Sequence, residues 1–101
     1  MSQSEEVLAA VPSVMVDDGR VRVTRWRFEP GASTGVHTHE FDYIVIPVTG
    51  GDFTVEGTDG SSAVMRQVPG ETYAREAGIT HDLTNSSGHT VEFVEVELLQ
   101  T

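Results

Sequence analysis

Short segments of β-branched and aromatic residues, separated by turn residues, recur along the chain between residues 13 and 99. They follow one another at about the 8–12 residue spacing typical of all-β sandwiches and barrels, and no useful helical period follows Ala10. The pattern therefore predicts an all-β fold of about eight or nine short strands. We expect residues 13–101 to form a single barrel domain, preceded by a flexible N-terminal segment over residues 1–12.

A β-hairpin is predicted near the start of the barrel. Asp18-Gly19 supplies the positive φ that a tight turn requires, and apolar strand segments lie on both sides of it. In the second segment, Val21–Glu29, apolar residues occupy both parities. This predicts either a β-bulge or a strand shared between two packed surfaces.

The segment Phe41–Val48 is apolar on both faces. One face carries Tyr43, Val45 and Pro47, and the other carries Ile44, Ile46 and Val48. The first face is expected to fill the barrel, so the second must be covered by a further sheet or by another subunit. The second of these possibilities predicts a homodimer.

Composition narrows the function classes. A formal net charge of -10 over 101 residues disfavours nucleic acid as a partner, because a phosphate backbone would be repelled. No apolar run approaches the length of a membrane span, and Met1–Ala10 has no basic start and apolar centre like those of a secretory signal, so a cytoplasmic protein without membrane contact is expected. The absence of cysteine excludes disulfides, thiolate metal sites and cysteine nucleophiles.

Three of the four histidines are candidates for a single cluster. On a strand, the spacing of His37 and His39 points both imidazoles to the same face, and His81 begins another predicted strand after Gly78. An isolated His-x-His pair is also typical of solvated or hydrogen-bonded loop histidines, whereas a third imidazole favours a metal site.

The first of these regions resembles a motif of the cupin superfamily, G(x)5HxH(x)3–4E(x)6G. Here Gly31 is followed after five residues by His37 and then His39, after three more by Tyr43, and after six more by Gly50. Every position matches except the glutamate, which Tyr43 replaces.

The second region resembles the other cupin motif, G(x)5PxG(x)2H(x)3N. Gly70 is followed after five residues by Glu76, then by Gly78, His81 and Asn85 at the motif spacing. Only the proline is missing, and we expect Glu76 in its place to affect the stiffness of the turn more than the chemistry.

The resemblance implies a double-stranded β-helix, or jelly-roll, barrel of about six to eight conserved strands with a divalent metal ion inside. It implies that His37, His39 and His81 hold that ion. Imidazole does not distinguish among iron, zinc, nickel, manganese and copper, so the identity of the metal stays open.

Tyr43 stands where cupins usually have a glutamate ligand, and it shares the parity of His37 and His39. Without that carboxylate the metal keeps two positive charges, which favours a small anionic ligand. Tyr43 is therefore a candidate catalytic residue: it could ligate as phenolate, donate a hydrogen bond to a ligand, or act as general acid or base. The alternative is an aromatic side chain that only fills the core.

A narrower resemblance, over His39–Gly50, is to small stand-alone cupins associated with β-alanine degradation. Together the two resemblances imply a metal-dependent enzyme acting on a small carboxylic or amino-acid-like metabolite. Dioxygenase chemistry is favoured and lyase or isomerase chemistry comes next, because a three-histidine iron centre has positions for both substrate and oxygen. A non-catalytic barrel that uses the metal to bind or sense a ligand is the alternative, and a metal-free structural barrel is a third possibility.

Overall fold

The computed structural model describes residues 8–100, which contain nine β-strands and no helix. The strands are β1 (Val11–Asp17), β2 (Val21–Phe28), β3 (His37–Thr38), β4 (Asp42–Pro47), β5 (Gly51–Gly57), β6 (Ser62–Gln67), β7 (Tyr73–Arg75), β8 (Thr80–Asn85) and β9 (Val91–Leu98). The all-β prediction is confirmed. Within this range no helix has the length and apolar character needed to cross a membrane.

The strands form two antiparallel sheets that enclose the core. One sheet has the order β1-β2-β9-β4-β7 and the other has the order β3-β8-β5-β6. The rings of Phe28 on β2 and Phe53 on β5 meet edge to face across the sheets, with centroids 4.9 Å apart, and Phe93 on β9 stacks on Phe28 at 5.5 Å. Because these rings are at most 3% exposed, they anchor the two sheets to one another.

The hairpin of β1 and β2 forms as predicted, with Gly19 at a φ of +85° in its turn. The irregularity lies in β1, where the register shifts between Val14 and Val16, whereas β2 pairs with β9 without a shift from Val21 to Phe28. The bulge predicted as one alternative for Val21–Glu29 is therefore not in that segment, and lies on its partner strand β1 instead.

The start of the described chain is tied to the barrel. Ala10 N donates to the carbonyl of Ser33 at 2.9 Å, and Ser33 N donates to the carbonyl of Leu8 at 2.9 Å. The predicted boundary between residues 12 and 13 falls inside β1, and the rest of the predicted N-terminal segment, residues 1–7, lies outside the described residues, as does residue 101.

The two faces of β4 differ in burial. Tyr43, Val45 and Pro47 are buried against the core, as predicted. On the opposite face Ile46 is 37% exposed and Val48, which follows the strand, is 42% exposed. Within this chain no further sheet covers these described side chains, so the predicted homodimer remains the interpretation that would bury them.

Candidate metal centre and ligand cavity

A cavity of about 600 Å³ opens into the barrel between the two sheets, a volume within the range of small-molecule sites. Its walls are largely apolar and aromatic, with the candidate histidines at one part of the lining. Its lining includes Trp26, His37, His39, Tyr43, Tyr73, Arg75, His81, Phe93, Glu95 and Glu97.

The three predicted histidines meet in this cavity. His37 on β3 lies directly opposite His81 on β8 in the register of the four-stranded sheet, and His39 follows β3. The Nε2 atom of His39 is 3.1 Å from the Nε2 atoms of both His37 and His81. One ligand atom from each residue lies within 4.8 Å of the others. The sequence motifs therefore place three nitrogen atoms around one point.

The imidazole of His37 is oriented by the turn before it. Its Nδ1 lies 2.9 Å from the carbonyl oxygen of Gly35, and because a carbonyl only accepts, Nδ1 must carry the proton. In the neutral ring Nε2 then has a free lone pair directed at the other histidines. Gly35 adopts a φ of +76°, which favours glycine at this position.

The turn before β8 positions His39. The backbone N–H of His39 donates to the carbonyl of Ile79 at 2.9 Å, and Gly78 N donates to the carbonyl of His39 at 2.8 Å. Asp42 Oδ1 accepts a hydrogen bond of 2.8 Å from Ala77 N, which ties the same turn to β4. These bonds hold the turn at the point where Glu76 replaces the motif proline, so its stiffness does not depend on proline alone.

The protonation state of the cluster suits a metal ion. Burial, together with repulsion from His37 and His81, lowers the pKa of His39 to about 4, and burial also lowers the pKa of His81. These rings are therefore neutral at pH 7, as metal ligation requires. Bonds of about 2.1 Å to one ion separate two nitrogen ligands by about 3.0–3.4 Å at angles of about 90–109°. The observed spacing of 3.1 Å lies in that range.

The donor set is three imidazoles without a carboxylate. Among the described residues the only group of three or more histidine or acidic side chains that converges in this way is the triad itself. His89 does not join it, because its Nε2 lies 3.2 Å from the carbonyl of Gly50, elsewhere in the barrel. The residues present can hold a divalent ion and would leave it its full charge.

Tyr43 faces the interior, as its parity predicted. It is 4% exposed, and its ring stacks on that of His39 with centroids 3.9 Å apart and planes at 17°. Burial, together with the nearby Glu95, raises the pKa of Tyr43 to about 12, so without a metal the phenol is protonated at pH 7. The protonated phenol is a hydrogen-bond donor. A catalytic role for Tyr43 stays a prediction.

Glu95 on β9 is a cavity residue that the sequence analysis missed. It is only 9% exposed, and burial, together with the negative charge of Glu97, raises its pKa to about 7. The nearby indole N–H of Trp26 lowers the pKa of Glu95, although Trp26 Nε1 does not form a well-formed hydrogen bond. The cavity lining thus contains carboxyl groups as well as the histidines, which the prediction of an anionic ligand did not take into account.

The sequence obscured Glu95 because β9 is apolar on both parities. Val94, Val96 and Leu98 would make an equally good inner face, and that choice would point Glu95 to solvent. Val91 and Phe93 could have shown which face of β9 points inward. They are on the same face as Glu95, and both are buried.

One arginine also reaches the cavity. Sequence parity could not select among Arg25, Arg27, Arg66 and Arg75 as an inward carboxylate clamp. Arg25 and Arg27 both form ion pairs with Glu92, and Arg66 forms one with Asp52. Arg75 lines the cavity instead, with its guanidinium 4.5 Å from the centre of the Tyr73 ring.

Similar proteins agree with this architecture. A protein from Pseudomonas aeruginosa named beta-alanine degradation protein BauB is 47% identical over 89 residues, covering 88% of this chain and 93% of its own. A crystal structure of a cupin domain from Bordetella pertussis is 40% identical, with a TM-score of 0.88, and covers 92% of this chain and 96% of its own.

The same fold is also found in a structure with low sequence identity to this chain. An RmlC-like cupin with a double-stranded β-helix from Methanocaldococcus jannaschii is 15% identical, with a TM-score of 0.73 over 93% of this chain and 84% of its own. No family model matches the chain. The full-length relatives, the two antiparallel sheets and the histidine triad within them lead to one conclusion: this chain belongs to the cupin superfamily and has its double-stranded β-helix fold.

Proposed function

We propose that this cupin is a metal-dependent enzyme that acts on a small carboxylic or amino-acid-like metabolite. Dioxygenase chemistry is the first candidate, and lyase or isomerase chemistry through a polarised carboxylate is the second. The observation that carries the proposal is the convergence of three imidazoles on the wall of a cavity large enough for such a ligand, with the Nε2 atoms of His37 and His81 each 3.1 Å from that of His39.

A divalent ion bound by three imidazoles and no carboxylate keeps its charge and open positions, and would supply Lewis-acid polarisation or, with a redox-active metal, oxygen activation. His37, His39 and His81 would hold it, with the proton of His37 fixed on Nδ1 by Gly35. The apolar walls of the cavity would exclude bulk water from a bound ligand.

Two further side chains are suited to a carboxylate ligand. Arg75 lines the cavity and, alone among the six arginines, forms no ion pair among the described residues. Its guanidinium can bind a carboxylate with two parallel hydrogen bonds. Tyr43, protonated and stacked on His39, can donate a hydrogen bond to a ligand or deliver a proton to it.

The choice of substrate class draws on the relatives as well. The name of the Pseudomonas aeruginosa protein refers to the degradation of β-alanine, a small amino acid. At 47% identity over nearly the full length of both chains, a related ligand class is a reasonable expectation for this protein.

The test combines metal analysis with turnover. We expect purified protein to bind about one divalent ion per chain, and the iron-loaded protein to consume oxygen only when a suitable small carboxylate or amino acid is present. Substrate loss without oxygen consumption would favour the lyase or isomerase reaction. Ligand binding without any turnover would favour the alternative, a sensing barrel.

The chain offers a matched control for the metal site. His81→Gln should abolish stoichiometric metal binding, whereas His89→Gln should retain it, because His89 lies outside the triad. Equal metal content in the two variants would refute the assignment of the triad as the metal site.

A further inference from the structure

Glu95 is a buried carboxyl that faces the ligand cavity. In the five-stranded sheet it lies opposite Thr24 of β2 and Val45 of β4, both of which are buried. Its side chain contributes to the cavity lining although the residue is only 9% exposed. A carboxylate in such surroundings is costly unless a cation or several hydrogen bonds compensate it.

No cation of the described residues compensates Glu95. All six basic side chains of the chain are arginines. Its neighbour Glu97 pairs with Arg22 at 3.3 Å, but no arginine or histidine forms an ion pair with Glu95. The one arginine of the cavity, Arg75, is placed over the ring of Tyr73 and donates to the carbonyl of Ala74. Glu95 thus lacks the partner that a buried carboxylate normally has.

Aromatic side chains surround the same carboxyl. Trp26 lies beside it, and the phenols of Tyr43 and Tyr73 are close enough for their ionisation to be coupled to its charge. Phe93, two residues earlier on β9, lines the same cavity. A carboxylate among aromatic rings is a suitable environment for an ammonium group, which the carboxylate neutralises and the ring faces attract.

We propose that Glu95 is the binding site for the ammonium group of the ligand, so that the cavity selects a small zwitterion. This inference rests on the proposed function for the other end of the ligand, where the carboxylate would be directed to the histidine triad. Tyr43 connects the two ends, because its ring stacks on His39 while its hydroxyl is electrostatically coupled to Glu95.

The charged groups of the cavity fit a ligand with two opposite charges better than a ligand with one negative charge. A ligand that carried only a carboxylate would be attracted by a metal ion but repelled by Glu95 and Glu97. A zwitterion satisfies both ends, and its ammonium group supplies the counter-charge that the fold itself does not provide to Glu95.

The test compares two probes that differ only by the ammonium group. Binding of β-alanine and of propanoate to zinc-loaded protein would be measured by calorimetry at pH 8, with zinc chosen because it has no redox chemistry. We expect β-alanine to bind at least about tenfold more tightly than propanoate to the parent protein. In Glu95→Gln that ratio should fall to within about twofold, because the amide cannot neutralise an ammonium group.

Controls separate this inference from the proposed function. Glu56→Gln removes the same charge from an exposed position on β5 and should keep the parental ratio. Equal affinity for β-alanine and propanoate in the parent, or an unchanged ratio in Glu95→Gln, would overturn the ammonium site while leaving a metal-dependent enzyme possible. Conversely, β-alanine binding that depends on Glu95 but not on zinc would uphold the ammonium site and count against the metal-dependent function.

Discussion

The burial of Glu95 predicts an unusual dependence of stability on pH. Its pKa rises from an ordinary value of 4.5 to about 7 in the folded protein, so the folded state holds this proton over a pH range where the unfolded state has lost it. The contribution of Glu95 to stability therefore falls as pH increases from about 4.5 to about 7, and remains lower above that range. At about 1.4 kcal/mol per pKa unit, the total loss is about 3 kcal/mol. The lowered pKa of His39 acts in the opposite direction between about pH 4 and pH 6.5, but equally in the parent and in a variant at Glu95.

Glu95→Gln is the perturbation that isolates this effect. The amide has nearly the same shape as the protonated carboxyl and cannot ionise, so the variant should lack the part of the pH dependence that Glu95 contributes between about pH 4.5 and pH 7. Relative to the parent, its free energy of unfolding should increase by about 3 kcal/mol from pH 4 to pH 8. We therefore expect Glu95→Gln to have a higher free energy of unfolding than the parent at pH 8.

The assay is urea denaturation of metal-free protein at a series of pH values, with the parent, Glu95→Gln and Glu56→Gln measured side by side. The groups that face Glu95 are Glu97, Tyr43 and Tyr73, beside the indole of Trp26, and neither tyrosine ionises near this pH range. The exposed Glu56 should show no such pH-dependent difference, although its removal also reduces the net charge. A difference between parent and Glu95→Gln that stays constant from pH 4 to pH 8 would refute the reasoning.

Three further changes test other parts of the molecule. Tyr43→Phe should leave metal content unchanged and reduce turnover by about 10- to 1000-fold, measured as the initial rate on an identified substrate; unchanged turnover would mean that Tyr43 only fills the core. Ile46→Lys should convert the expected dimer to a monomer in sedimentation experiments, because the residue is 37% exposed on the outer face of β4; a parent that is already monomeric at about 100 μM would contradict the dimer. Asn85→Ala should lower the free energy of unfolding by about 2–4 kcal/mol in urea, since the side chain is 1% exposed and donates to the carbonyls of Phe28 and His89; a loss below about 0.5 kcal/mol would show that water replaces it.

The sequence was informative where local chemistry determines structure. Asp18-Gly19 and the motif glycines mark turns, and Gly31, Gly50, Gly70 and Gly78 all adopt positive φ. The spacing of the histidines was sufficient to predict their convergence, because two residues two positions apart in an extended segment share a face and the motif specifies the second strand.

The sequence was ambiguous where both parities of a strand are apolar. On β9 the choice between Val94 and Glu95 as inward residue is a question of tertiary packing, which depends on both neighbouring strands, β2 and β4. The same limit applies to Arg75, whose position in the cavity follows from the short strand β7 at the sheet edge. A bulge was predicted as one alternative for Val21–Glu29 but lies on β1, because the extra residue of a bulge can be in either strand of a pair.

The replacement of the cupin glutamate by Tyr43 acquires a second meaning once Glu95 is considered. In the common motif the carboxylate is next to the metal and would neutralise part of its charge. In this chain that position holds a neutral phenol, and a buried carboxyl on β9 lines the same cavity instead. With a metal ion held by the histidines, positive charge there and negative charge at Glu95 would face one cavity, which favours a ligand with opposite charges at its two ends. On this reasoning Tyr43→Glu would strengthen metal binding but weaken the binding of β-alanine, because it would place a second carboxylate where the ligand carboxylate is expected.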